Sequence, residues 1–167
     1  MKLTKNQINE INENGYIVLP DWFSDIEVKN IRKEMKKIFN DKTEADIIEK
    51  SSGEVRTAMG LHLRSKIFDN LTRHPKFFEP ARQIRGDNLY IQQTKINVKA
   101  AFTGEVWQWH YDFATHSGED GSAKPLALNL HVFLDDVNEF NGPLFFIPKS
   151  HKYGNVKSKL DTKTTSY

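Results

Sequence analysis

Cysteine is absent from all 167 residues, which removes disulfide frameworks, thiolate zinc sites and cysteine nucleophiles together. A chain without thiols fits a reducing compartment. Long apolar runs are missing too: nothing approaches the roughly 18 consecutive apolar residues of a membrane span. The polar stretch from Met1 to Asn14 lacks the apolar centre of a signal peptide. These absences lead us to expect a cytoplasmic protein with no membrane partner. Charge of one sign is also scarce, since 24 basic residues stand against 22 acidic ones for a net +2. No basic run is interleaved with aromatics, so a nucleic-acid groove has no support.

The composition that is present, 38% apolar and 28% charged, is that of a globular domain able to bury a modest core. Thr4 followed by Gln7 forms a capping-box pattern, Ile8 and Ile11 supply an apolar stripe, and Gly15 is a plausible stop. Tyr16 to Leu19 reads as a short strand ended by Pro20. A second box, Ser24 with Glu27, opens a longer helix whose Val28, Ile31, Met35, Ile38 and Phe39 keep helical spacing. From Asp41 to Arg64 the pattern is polar and weak, and a loop is expected. Ser65 to Arg85 again predicts helix, with Pro75 suited to a first turn.

The texture changes after Gly86. Leu89 to Val98 alternates apolar and polar residues as a half-buried strand does, and Leu126 to Leu134 alternates again. Asn141-Gly142-Pro143 is a turn leading into Leu144 to Ile147. Helices first and strands after indicate an α+β fold whose sheet begins near residue 89. We expect one domain over 1–167: a mainly helical part at 1–86, a β-rich part at 87–154, and a polar tail at 155–167.

Trp109-His110-Tyr111-Asp112-Phe113 carries the chemistry. On a strand, residues two apart point the same way with alpha carbons about 6.6 Å apart, so an imidazole and a carboxylate converge on one cation. Two histidines and a carboxylate on one face of an iron leave the opposite face open. An H-x-D pair alone is weak, because a histidine beside an aspartate is more often a simple hydrogen-bonded pair.

Its surroundings are more specific. Gln93-Thr94-Lys95-Ile96-Asn97 precedes the motif. Glu119-Asp120-Gly121, Leu128, Asn141-Gly142-Pro143-Leu144 and Ile147-Pro148-Lys149-Ser150-His151 follow it. With Asn14-Gly15-Tyr16-Ile17-Val18 near the start, this set resembles the phytanoyl-CoA dioxygenase family, and within it the ectoine hydroxylase branch. The resemblance covers most of residues 89 to 154. It implies an Fe(II)/2-oxoglutarate-dependent dioxygenase that uses O2 to hydroxylate a C–H bond of a small metabolite, an amino acid derivative or similar. Succinate and CO2 would be the co-products. It implies His110 and Asp112 as iron ligands, Asn97 and Lys95 near 2-oxoglutarate, and Gln93, Phe113 and His116 toward the substrate. For Gln93, Lys95 and Asn97 the plain alternative is the polar face of a strand. His151 belongs to a structural landmark of the family and is not expected to bind iron. The implied fold is a double-stranded β-helix of the jelly-roll or cupin kind.

Two departures qualify this. Ectoine-hydroxylating relatives carry a tryptophan shortly after the iron aspartate, where His116 stands here, which argues against ectoine itself. Asp112 stands where halogenating relatives have a small residue, which favours hydroxylation. The second departure is the end of the chain. No histidine follows His151 and no arginine follows Arg85, so the distal ligand and the residue pairing the far carboxylate of 2-oxoglutarate are not found. His131 is more simply read as a packed strand residue. Only about five strands can be counted from residue 89, against the roughly eight of a jelly roll. The expectation is an incomplete β-helix in the N-terminal portion of a longer enzyme. The alternative is a truncated, non-catalytic cupin-like remnant or metal-binding module. A hydrolytic site of His110, Asp112 and His116 is a weaker third reading.

Overall fold

The computed structural model describes residues 1–100, 107, 109–118 and 121–153, without the side chains of residues 114–116. The first helix, α1 (Lys5–Asn14), starts at the Thr4–Gln7 capping box and stops at Gly15, whose φ is 88°. α2 (Asp25–Asn40) starts at the reciprocal Ser24–Glu27 box. Both starts follow from side chains three residues apart satisfying the orphan amides of a first turn.

The segment read as loop contains regular structure. β1 (Ile47–Ile48) and β2 (Val55–Met59) lie there, followed by the one-turn helix α3 (Leu61–Arg64). The sheet therefore begins 40 residues earlier than position 87, and β3 (Lys95–Asn97) joins it as the third strand in the order β1-β2-β3. Both pairings are antiparallel, with Thr57 opposite Asn97 and Met59 opposite Lys95. Strands of two to five residues leave too short a pattern for periodicity to register, and the β2–β3 pairing joins segments distant in sequence.

Two helices follow α3: α4 (Lys66–Thr72) and α5 (Pro75–Arg85), with Pro75 in the first turn of α5. Pro80 lies inside α5. It has no N–H to offer the carbonyl of Lys76, four residues back. The indole N–H of Trp22 donates to that carbonyl at 2.8 Å instead.

Other readings also change. Tyr16 to Leu19 has no strand partner among the described residues. Of Leu89 to Val98, the described strand is Lys95–Asn97, flanked by the backbone bonds of Thr94 to Gly60 and of Val98 to Arg56. Leu126 to Leu134 and Leu144 to Ile147 carry no ladder among the described residues, because an alternating segment becomes a strand only when a neighbour takes its backbone groups. The motif itself is not a continuous strand: Asp112–Gly118 is helix α6. The polar tail at 155–167 lies outside the described residues.

The core joins the helical and sheet parts. Ile31 and Ile38 of α2 pack with Val55 and Ala58 of β2, Leu61, Phe68 and Ile96, and Leu134 leans on this cluster from the far end of the chain. Arg64 locks the periphery. Its guanidinium donates to Asp46 Oδ1 at 2.6 Å and to the carbonyls of Ile38 and Asp41 at the C-terminal end of α2.

α1 buries no residue of its own and is held by polar contacts at both ends. Gln83 exchanges two hydrogen bonds with the backbone of Leu3, at 2.7 and 2.9 Å. At the other end the Lys149 amide donates to Asn14 O at 2.8 Å, and His151 Nε2 donates to Asn12 O at 3.1 Å. Lys149 and Lys152 each reach Glu13 at 2.7 Å. These hydrogen bonds and charges hold the Glu13 carboxyl at about 2. A Cβ at Gly15 would stand 2.3 Å from His151 Nδ1. Gly15→Ala is therefore expected to lose about 1–2 kcal/mol from the left-handed backbone alone. Displacement of His151 adds to that, and a lowered midpoint in urea denaturation checks it.

Candidate metal and co-substrate site

The side chains of His110 and Asp112 meet, although their backbone is not the extended strand that spacing suggested. His110 Nε2 lies 3.2 Å from Asp112 Oδ1, with 59% and 48% of the two side chains exposed. Asp112 opens α6, where the free amides of a first turn favour a negative charge. His110 is the last but one residue before it, so the bend into the helix turns both groups to one side. Two donor atoms each about 2.1 Å from one first-row cation, at nearly a right angle, stand about 3 Å apart. The observed spacing and the mix of one imidazole and one carboxylate fit two neighbouring positions on such a cation. Among the described residues no group of three His, Cys, Asp or Glu side chains comes together as a complete set.

The other carboxylate oxygen is engaged as well: Asn129 Nδ2 donates to Asp112 Oδ2. Sequence reasoning overlooked Asn129. The signal available was its place as a polar residue on the alternate face of Leu128, Leu130 and Val132.

His131, two residues on, is close enough to feel both Asp112 and Lys95. Protein atoms crowd its ring and lower its pKa, the Asp112 carboxylate opposes this, and the Lys95 cation adds to it. The residue nevertheless keeps solvent-exposed surface.

Lys95 and Asn97 stand on the exposed side of β3, with Ile96 turned into the core between them. Asn97 does not swing freely. Thr57 Oγ1, on a residue only 2% exposed, donates to Asn97 Oδ1 at 3.0 Å, which leaves the Asn97 amide hydrogens pointing outward. Gln93 is exposed just ahead of β3. Its neighbour Thr94 is pinned through its carbonyl to the Gly60 amide at 2.9 Å and through Oγ1 to His62 Nδ1 at 2.7 Å. Phe113 is half-buried on α6, and position 116 lies within the same helix, the His116 side chain being outside the description. Aromatic rings flank the motif in sequence: Trp109 faces Phe145 with centroids 6.4 Å apart, and the Arg56 guanidinium covers Trp107 at 4.4 Å. His151 belongs to the α1 contact described above.

The chain is 36% identical over 154 residues to an ectoine dioxygenase of Bordetella bronchiseptica, covering 90% of this chain and 50% of the relative. It is 37% identical over 143 residues to an L-proline trans-4-hydroxylase of Streptomyces griseoviridis, covering 86% and 53%. The chain thus spans about half the length of these curated relatives. Among solved structures, EctD from S. alaskensis with 2-oxoglutarate and 5-hydroxyectoine superposes with a TM-score of 0.67 at 32% identity, over 71% of this chain and 44% of that one. The family model for phytanoyl-CoA dioxygenase (PhyH) matches residues 11–167. On that match the chain belongs to the phytanoyl-CoA dioxygenase family.

Proposed function

We propose that this chain carries the iron- and 2-oxoglutarate-binding part of a hydroxylase acting on a small amino acid derivative, with His110 and Asp112 as two of the iron ligands. The observation that carries this reading is the 3.2 Å approach of His110 Nε2 to Asp112 Oδ1 within a chain of this family. Bound iron(II) would supply, with 2-oxoglutarate and O2, the oxidising chemistry that no protein side chain can. The protein's own part is binding and orientation. Lys95 offers a cation, and Asn97 offers amide hydrogens held outward by Thr57, to the carboxylates of 2-oxoglutarate. Gln93, Phe113 and His116 face the substrate in this reading, and the aromatic rings of Trp109 and Phe145 limit access of water.

The relatives named for ectoine and L-proline support a compact amino acid or its cyclic derivative as substrate. His116, where ectoine-hydroxylating relatives carry a tryptophan, favours a substrate other than ectoine. The surrounding fold in this proposal is a jelly-roll β-helix in a single domain, with α1, α2, α4 and α5 as its helical flank and β1, β2, β3 and the open alternating segments after residue 97 as its strands. The likeness to EctD supports that architecture.

An anaerobic titration of the chain with iron(II) and 2-oxoglutarate tests the proposal. A visible charge-transfer band from the chelate is the expected outcome. Folded protein that gives no band would reject it in favour of a non-catalytic remnant. The absence of a three-donor group among the described residues is what keeps that second reading in view.

A further inference from the structure

We infer that Asn129 is a positioning residue for Asp112, its carboxamide N–H holding one carboxylate oxygen so that the other alone is presented beside His110. The inference rests on the metal reading above and adds to it a device for fixing how the carboxylate is used.

The two oxygens of Asp112 are divided between different partners. Oδ2 accepts from Asn129 Nδ2, whereas Oδ1 lies 3.2 Å from His110 Nε2. A half-exposed aspartate can otherwise turn about its last torsion and offer either oxygen, or both, to a cation. With Oδ2 occupied by a donor, the carboxylate is held to one coordinating oxygen. Positions around the metal are then left for an imidazole, a chelating co-substrate and oxygen.

The base from which Asn129 acts is firm. It lies in a run where Leu128, Val132 and Leu134 are half-buried while Asn129, Leu130, His131 and Phe133 are exposed. Leu134 packs on the core formed by α2, β2 and β3. Asn129 and His131 are both exposed there, and the Asn129 amide reaches Asp112 directly. An amide suits the task because it donates without titrating and does not compete for the cation as a carboxylate would.

The test has a metal-free arm and a metal arm. In the 15N-labelled chain without metal, the Asn129 side-chain amide signal is expected to shift when Asp112 is replaced by alanine. Asn129→Leu keeps the shape of the side chain and removes the donor. It is expected to weaken cobalt(II) binding about 10–100-fold and to alter the cobalt visible spectrum as the freed carboxylate turns, with an unchanged melting temperature. Asn129→Ala should behave alike. An Asn129 amide signal indifferent to Asp112→Ala overturns the inference, as does Asn129→Leu binding cobalt(II) with native affinity and spectrum. A parent chain that takes no cobalt(II) rejects the metal reading and the positioning role together. A parent that binds while Asn129→Leu is unchanged rejects the positioning role alone.

Discussion

Asp112→Ala is expected to abolish the visible band that iron(II) and 2-oxoglutarate give with the parent chain, while leaving the protein folded. The two halves of this expectation have different origins. Nearly half of the Asp112 side chain is exposed, and its main local contribution is a negative charge at the start of α6. That interaction is worth only about 0.3–1 kcal/mol, so the melting temperature should barely move. For the metal, the same change removes one of two described donors and the only anion of the pair. The loss should exceed the roughly 10–100-fold cost of removing a residue that merely supports a ligand. His110→Ala should lose the band equally, since an imidazole and a carboxylate on one cation are not interchangeable with water. If either variant keeps the band at full amplitude, that residue is not a ligand.

The largest effect on stability is expected from Arg64→Ala. The Asp46 side chain it pairs with is fully buried and Arg64 is 13% exposed. Burial would raise the Asp46 carboxyl, but the amides of Thr43 and Met59 and the Arg64 guanidinium together hold it below its ordinary value. Removing the arginine leaves a buried carboxylate with amide donors only and frees the Ile38 and Asp41 carbonyls at the end of α2. Breaking such a pair costs about 3–5 kcal/mol, enough to shift the urea midpoint far or to leave the chain unfolded. Arg64→Lys retains the charge without the planar fork and should lie between the two. A shift below about 1 kcal/mol for Arg64→Ala would mean the pair is in effect solvated. Because the folded-state pKa of Asp46 is lowered, its contribution is present above the unfolded value near 3.8 and is lost as pH falls through the folded one.

Local physics made the helices legible. Thr4 with Gln7, Ser24 with Glu27, Gly15 and Pro75 act within one turn of themselves, so their meaning can be read without knowing the fold. β1 and β2 were not legible, because Ile47–Ile48 and Val55–Met59 owe their conformation to each other and to Lys95–Asn97, 36 or more positions further on. The site divides the same way. His110 and Asp112 stand out because of their residue types and spacing. Thr57 and Asn129, which orient Asn97 and Asp112, carry no chemical motif of their own, and their role exists only once distant segments meet. Alternation placed Leu126 to Leu134 as a strand, yet whether such a segment forms a ladder is decided by its neighbours.

The seal on the first helix also sets an order of events during synthesis. His151 and Asn12 are 139 positions apart. A ribosome adding roughly 5–20 residues per second takes about 7–28 s to travel between them. For that interval α1 exists without the lysines that bind Glu13 or the amide that caps Asn14. Since it buries no side chain of its own, it can fray and re-form while α2 and the sheet condense around Ile31 and Ile38. The C-terminal end of the first helix made is thus among the last parts to be secured, staying open until residue 149 has emerged, although Gln83 can already hold its start through Leu3.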